Sequence, residues 1–168
     1  MIRIPRRLIV ATILLFAVVT QTTLFGRIRF IAPDLVMLFV ILLALTRIRP
    51  ELILGTAFLS GLLVDLLGSS LLGLRAIVFT TVAYVALRTR ERAEIGRFAV
   101  ALWAGILTLI GVVLLVLIGT LFGQTSLLGA NVASRLLVVP LANLLLAGLA
   151  GPLFVRLVDG DTTAFRFS

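Results

Sequence analysis

The chain has 168 residues, 61% of them hydrophobic, and a mean hydropathy of +1.27. Ordinary soluble domains are about 45–50% apolar, and one core of this size cannot bury the excess, so the composition predicts an integral membrane protein. The net charge of +8 comes from fifteen arginines, set singly or in short clusters between apolar runs; that is a pattern of topology signals and argues against a nucleic-acid partner. Six crossings of about 20 residues with short loops would use the whole length, as a single transmembrane domain over residues 1–168. There is no Cys, so disulfide and thiolate chemistry are excluded.

The basic start and apolar run of "MIRIPRRLIVATILLFAVVTQ" imitate a signal peptide, but no A-x-A-like site follows. We read it as a retained first span, Leu8 to about Phe25, closed by "GRIRF". The second span is predicted over 30–46, with Pro33 and Asp34 in its first turn and Asp34 as a cap for free N–H groups. Pro50 disfavours helix at Arg49 and ends it. The third and fourth spans, 52–67 and 71–87, form a hairpin about the turn "GSS" at 68–70. After the charged stretch "RTRERAEIGR" at 88–97 comes the longest span, 98–122, then the polar loop "GQTSLLGAN". The sixth span is predicted over 132–155 and leaves a short polar tail.

Counting arginines orients the six spans. With the N-terminus inside, Arg3, Arg6, Arg7, Arg47, Arg49, Arg88, Arg90, Arg92, Arg97, Arg156 and Arg166 fall on the inner side. Arg27, Arg29, Arg75 and Arg135 fall outside. Eleven against four predicts a multi-pass protein with both termini in the cytoplasm.

Enzyme readings find little support. A membrane serine protease of the rhomboid kind needs a His beside its Ser, and the chain has none. Zinc hydrolysis wants His, Cys or clustered carboxylates. A membrane aspartyl protease needs two carboxylates at one site, and Asp34 and Asp65 sit in no motif that would pair them. No Gly-rich phosphate loop is present. We expect no catalytic residues, no cofactor and no bound metal.

The small residues say more. Ala57, Gly61, Asp65 and Gly68 share one face of the third span, at i, i+4, i+8 and i+11. Ala101, Ala104, Gly105 and Thr108 do so in the fifth, and Asn143, Ala147, Ala150 and Gly151 in the sixth. In lipid, such faces let helix backbones approach closely, either within the chain or against a partner's helix. Asp65 therefore points into protein. Each charge at a bilayer centre costs about 2.5–3.5 kcal/mol, so Asp65 and Arg75 need a reason to be there. Across an antiparallel hairpin both would lie roughly 6–9 Å below the turn, at similar depth. They could pair and pin the register; alternatively Arg75 snorkels outward and Asp65 pairs with Arg135. Either arrangement is a charge clamp on the outer side.

Two stretches carry a family resemblance: "APDLVMLFVILLAL" (32–45) and "GLLVDLLGSSLLGLRAIVFTTVAY" (61–84). They resemble the rod shape-determining MreD family, which has a Pro-Asp entering its second span. The family also has Gly-x-x-x-Asp before a Gly- and Ser-rich turn, Leu-Gly-Leu, and a Tyr near the end of the following span. The matching positions are Pro33, Asp34, Gly61, Asp65, Gly68, Gly73 and Tyr84. The resemblance implies a non-enzymatic scaffold of the bacterial elongation machinery in the cell membrane. It would bind the single-span protein MreC and act with MreB, RodA and a class B penicillin-binding protein in lateral peptidoglycan synthesis. It also implies the six-helix fold of the substrate-binding subunits of energy-coupling-factor vitamin transporters.

That kinship supplies an alternative function, capture of a vitamin from outside. Such a site wants polar and aromatic groups converging on an outward pocket. Asp34, Asp65, Arg75, Gln124, Asn131 and Arg135 lie in the outer half, but Trp103 and Tyr84 sit nearer the inner side. Ala11 and Ala17 also lack an Ala-xxx-Ala spacing for a motor subunit. The scaffold reading is the stronger one.

Overall fold

The computed structural model describes residues 6–25, 33–68, 71–90, 96–124 and 132–159. They form six helices, with no strand among them: α1 (Arg6–Thr20, continued by a π-helical turn, Gln21–Phe25), α2 (Leu35–Leu43), α3 (Pro50–Leu67), α4 (Leu74–Thr89), α5 (Arg97–Leu121) and α6 (Val132–Asp159). Outside the described residues lie the "GRIRF" connector, Ser69 and Ser70 of the hairpin turn, 91–95 of the charged stretch, 125–131 and the tail. Arg3, Arg27, Arg29, Arg92, Asn131 and Arg166 fall there with them.

Six helices stand where six apolar runs predict them, but they differ in reach. α3, α5 and α6, of 18, 25 and 28 residues, are long and apolar enough to cross a membrane. At 1.5 Å per residue they measure about 27, 38 and 42 Å, against roughly 30 Å of hydrocarbon. α1 and α4 have 15 and 16 residues, and α2 has nine. Among the described residues there are thus six helices, of which three have a span's length and composition.

The second helix departs most from its predicted range. Asp34 caps its start, accepting from Met37 N at 3.0 Å. At the other end the N–H groups of Ala44, Leu45 and Thr46 reach carbonyls three residues back, each at 3.1 Å. The Thr46 hydroxyl also donates to Leu43 O at 2.7 Å. The backbone tightens and leaves the helix before Arg47.

This short helix is the middle of the molecule. Every residue from Val36 to Leu43 is buried, and none is polar, so α2 has no face suited to water and is covered on all sides. It touches each of the other five helices, which surround it in the order α1, α6, α5, α4, α3. The seam of this ring falls between α1 and α3. Phe39 of α2 meets Phe154 of α6 edge to face, with ring centroids 5.6 Å apart.

The chain alternates direction, so helix ends collect in two groups. At one end the buried Asp159 carboxylate accepts the Arg47 N–H with both oxygens at 3.1 Å, tying the end of α6 to the α2–α3 connection. Trp103 of α5 donates its indole N–H to the Thr89 hydroxyl of α4 at 2.9 Å. The opposite end holds the residues that the sequence singles out.

Candidate functional site

Close approach of α3 and α4 comes first, because it places the charges. The two helices form the hairpin predicted about residues 68–70. A Cβ built on Gly61 would lie 2.5 Å from Ala76 Cα, 2.6 Å from Ala76 N and 2.6 Å from Arg75 C. Only a residue without a side chain lets the α4 backbone pass here. Gly61 thus sets the first turn of α4 directly against the face of α3 that carries Asp65 one turn further on.

Asp65 is 2% exposed and caps α4 from a different helix. Its Oδ2 accepts the N–H of Gly73 and the N–H of Arg75, both at 2.9 Å. Gly73 is the N-cap position and has no side chain of its own to offer. Its φ of +92° is a left-handed turn, which glycine adopts without strain. The free N–H groups of the α4 start would otherwise be unpaired in an apolar setting, so a carboxylate from α3 fills the role that a local Ser or Asp usually plays.

Arg75 then joins two carboxylates. Its Nε lies 3.8 Å from Asp65 Oδ1, and its Nη1 lies 3.4 Å from Asp34 Oδ2 at the start of α2. Asp34 meanwhile caps α2 with Oδ1 and accepts from Gln21 Nε2 at 3.3 Å. Gln21, at the first residue of the π-helical turn, also accepts Val36 N–H with Oε1 at 3.0 Å. Four helix ends meet in this cluster. Among the described residues its charges nearly cancel: two carboxylates face one guanidinium and two helix N-termini, each worth roughly half a positive charge.

A second polar group lies beneath. Asn143 of α6, fully buried, donates from Nδ2 to Asp34 O at 3.1 Å and to the Thr108 hydroxyl of α5 at 3.2 Å. Thr108 in turn donates to Ala104 O at 2.8 Å. The Asn143 Oδ1 has no partner among the described residues.

Of the three residues named for a charge clamp, the structure brings Asp65 and Arg75 together. Arg135 stands exposed on the first turn of α6, and the salt bridges of the described residues do not include it. Asp34 takes the third place in the cluster. The spacing of the apolar runs marks it as a cap but carries no sign of its pairing with Arg75, 41 residues away. Gln21 was also missed; a lone amide closing the apolar run of α1 was the available signal.

The small-residue faces turn inward. Ala57, Gly61, Ala101, Ala104, Gly105, Asn143, Ala147 and Gly151 are all buried against neighbouring helices of the same chain. A Cβ on Gly105 would meet the Leu144 side chain at 3.0 Å, and one on Gly151 would meet Val100 at 3.1 Å. Gly68 and Ala150 are exposed.

Among the described residues no group of His, Cys, Asp and Glu could hold a metal ion. Among the described residues the cluster's hydrogen bonds go to helix N-termini and to one another, which is the work of a structural clasp.

No curated protein and no solved structure matches the chain. Residues 1–159 match the family model described as rod shape-determining protein MreD, which spans the clasp, the buried α2 and all six helices. The chain therefore belongs to the rod shape-determining protein MreD family of membrane proteins.

Proposed function

We propose that the protein is a non-enzymatic scaffold of the bacterial cell-elongation complex. It sits in the cell membrane as a multi-pass protein with both termini cytoplasmic. It binds an MreC-like single-span partner and, with MreB, RodA and a class B penicillin-binding protein, supports lateral peptidoglycan synthesis and rod shape. The observation that carries this reading is the family match over nearly the whole chain. The use of the polar cluster as helix caps agrees with it, since those groups are engaged with the fold itself. The likeness to energy-coupling-factor subunits rests on the resemblance alone.

Two measurements test the proposal. A reporter fused at Gly123 should report the outside and one fused after Arg92 the cytoplasm. The same side for both would overturn the topology. For the partner, the full chain purified in mild detergent should retain an MreC-like protein. Gly55 offers a probe of the outer face of α3, because a Cβ there meets nothing within 4 Å. Gly55→Leu should leave the fold intact, and it removes the partner if that partner docks on α3. A folded chain that never retains an MreC-like protein would overturn the scaffold reading.

A further inference from the structure

The outward face of α4 has a division that the clasp does not use. Ile77, Thr81, Tyr84 and Arg88 are exposed and follow at i, i+4, i+7 and i+11, which aligns them along one side of the helix. Thr81 donates its hydroxyl to Ile77 O at 2.9 Å, so this position presents chiefly its methyl group. From Ile77 to Arg88 the helix rises about 16 Å, close to the hydrocarbon depth of one leaflet. The stripe runs apolar over that depth and ends in an aromatic and a cation.

The end of the stripe is ordered for an anion. The Arg88 guanidinium carbon lies 5.4 Å from the Tyr84 ring centroid, and Nε donates to the Tyr84 hydroxyl at 3.2 Å. Tyr84 so holds the guanidinium by its ring and its oxygen together. Both Nη groups of Arg88 are left without a hydrogen bond among the described residues, and they form a planar fork suited to phosphate oxygens. In sequence, the stretch 88–97 that begins at Arg88 carries four arginines against two glutamates, a net positive charge. Tyr is also a residue that settles at the headgroup level, with an apolar body and a polar tip.

We propose that Tyr84 and Arg88 form a binding site for the phosphate of an anionic phospholipid, whose acyl chain lies along Ile77 and Thr81. The apolar stripe of leaflet length selects a lipid over a free anion, and the net positive charge of the stretch 88–97 selects an anionic headgroup over a zwitterionic one. The proposal needs only that the chain is membrane-embedded, not that it binds MreC.

Thermal melting of the full chain in a neutral detergent tests it, with phosphatidylglycerol, phosphatidylcholine or inorganic phosphate added. Phosphatidylglycerol should raise the melting temperature saturably, while the other two should not. Arg88→Gln should weaken the apparent affinity about tenfold, as expected for losing a charge-assisted phosphate contact. Tyr84→Phe keeps the ring but releases Nε, and should weaken it by a smaller factor. Arg156→Gln, an exposed arginine at the same end with no such aromatic contact among the described residues, should leave it unchanged. Equal losses in Arg88→Gln and Arg156→Gln would reduce the effect to diffuse charge and overturn the site. So would equal stabilisation by phosphatidylcholine, or by phosphate alone.

Discussion

Gly61→Leu should fail to yield folded protein, and Gly61→Ala should be severely destabilised. At Gly105, Gly111 and Gly151 a methyl group would press on side chains that can turn aside. At Gly61 the atoms 2.5–2.6 Å away belong to the backbone of Ala76 and Arg75, which can move only if α4 moves. Shifting α4 would pull the N–H groups of Gly73 and Arg75 away from Asp65. Overpacking a close core costs typically 1–3 kcal/mol for added methylenes, and here the loss of the α4 cap adds to it. The comparison that isolates the cause is Gly55→Leu on the outer side of the same helix, where the new side chain meets nothing. Both variants carry the same intrinsic helix preference, so propensity cannot separate them. Recovery of monodisperse protein in detergent, with thermal melting, checks both. A stable Gly61→Leu would mean that α3 and α4 pack elsewhere. Its behaviour also bears on partner binding, because a change at Gly61 alters the fold and cannot report on a docking face.

Much of this architecture was legible because the apolar runs are long and the punctuation between them is sharp. Arginines, Pro50 and the Gly-containing turns mark helix limits that the structure reproduces within a few residues, α2 apart. The brevity of α2 was not legible: Ala44 and Leu45 continue its apolar run, and only the tightened hydrogen bonds show where it stops. Its central position had a signal, since 35–45 contains no polar residue at all while every other helix contains several. The matched depth of Asp65 and Arg75 followed from hairpin geometry alone. What spacing cannot convey is what a residue faces across the bundle. The faces of Gly61, Gly105 and Gly151 could equally have served a partner, and Asp34 belongs to a helix that meets α4 only through the fold.

Asp65→Ala should be the most damaging change in the clasp, and the variants around it separate two roles for the carboxylate. As an ion-pair partner, Asp65 offsets the charge of Arg75, whose side chain is only 27% exposed. Breaking a buried pair by removing one member costs about 3–5 kcal/mol, because the other charge is left unpaired. Here Asp34 still faces Arg75 at 3.4 Å, which softens that loss. As a cap, Asp65 satisfies two N–H groups at the start of α4, and nothing else in the cluster reaches them among the described residues. The charge-swapped pair, Asp65→Arg with Arg75→Asp, restores opposite charges but puts a donor where two donors need an acceptor. If pairing were the whole role, the swap would recover stability; since Asp65 caps α4, it should remain close to Asp65→Ala. Asp65→Asn makes the complementary test, because its amide oxygen can accept one or both N–H groups while the negative charge is gone. It should retain more stability than either Ala or the swap. Arg75→Gln, which leaves the cap intact, should be milder than Asp65→Ala. Thermal melting of the four variants in one detergent measures the order. Full rescue by the swap would make Asp65 a simple counter-ion and remove the cap from the account of this fold.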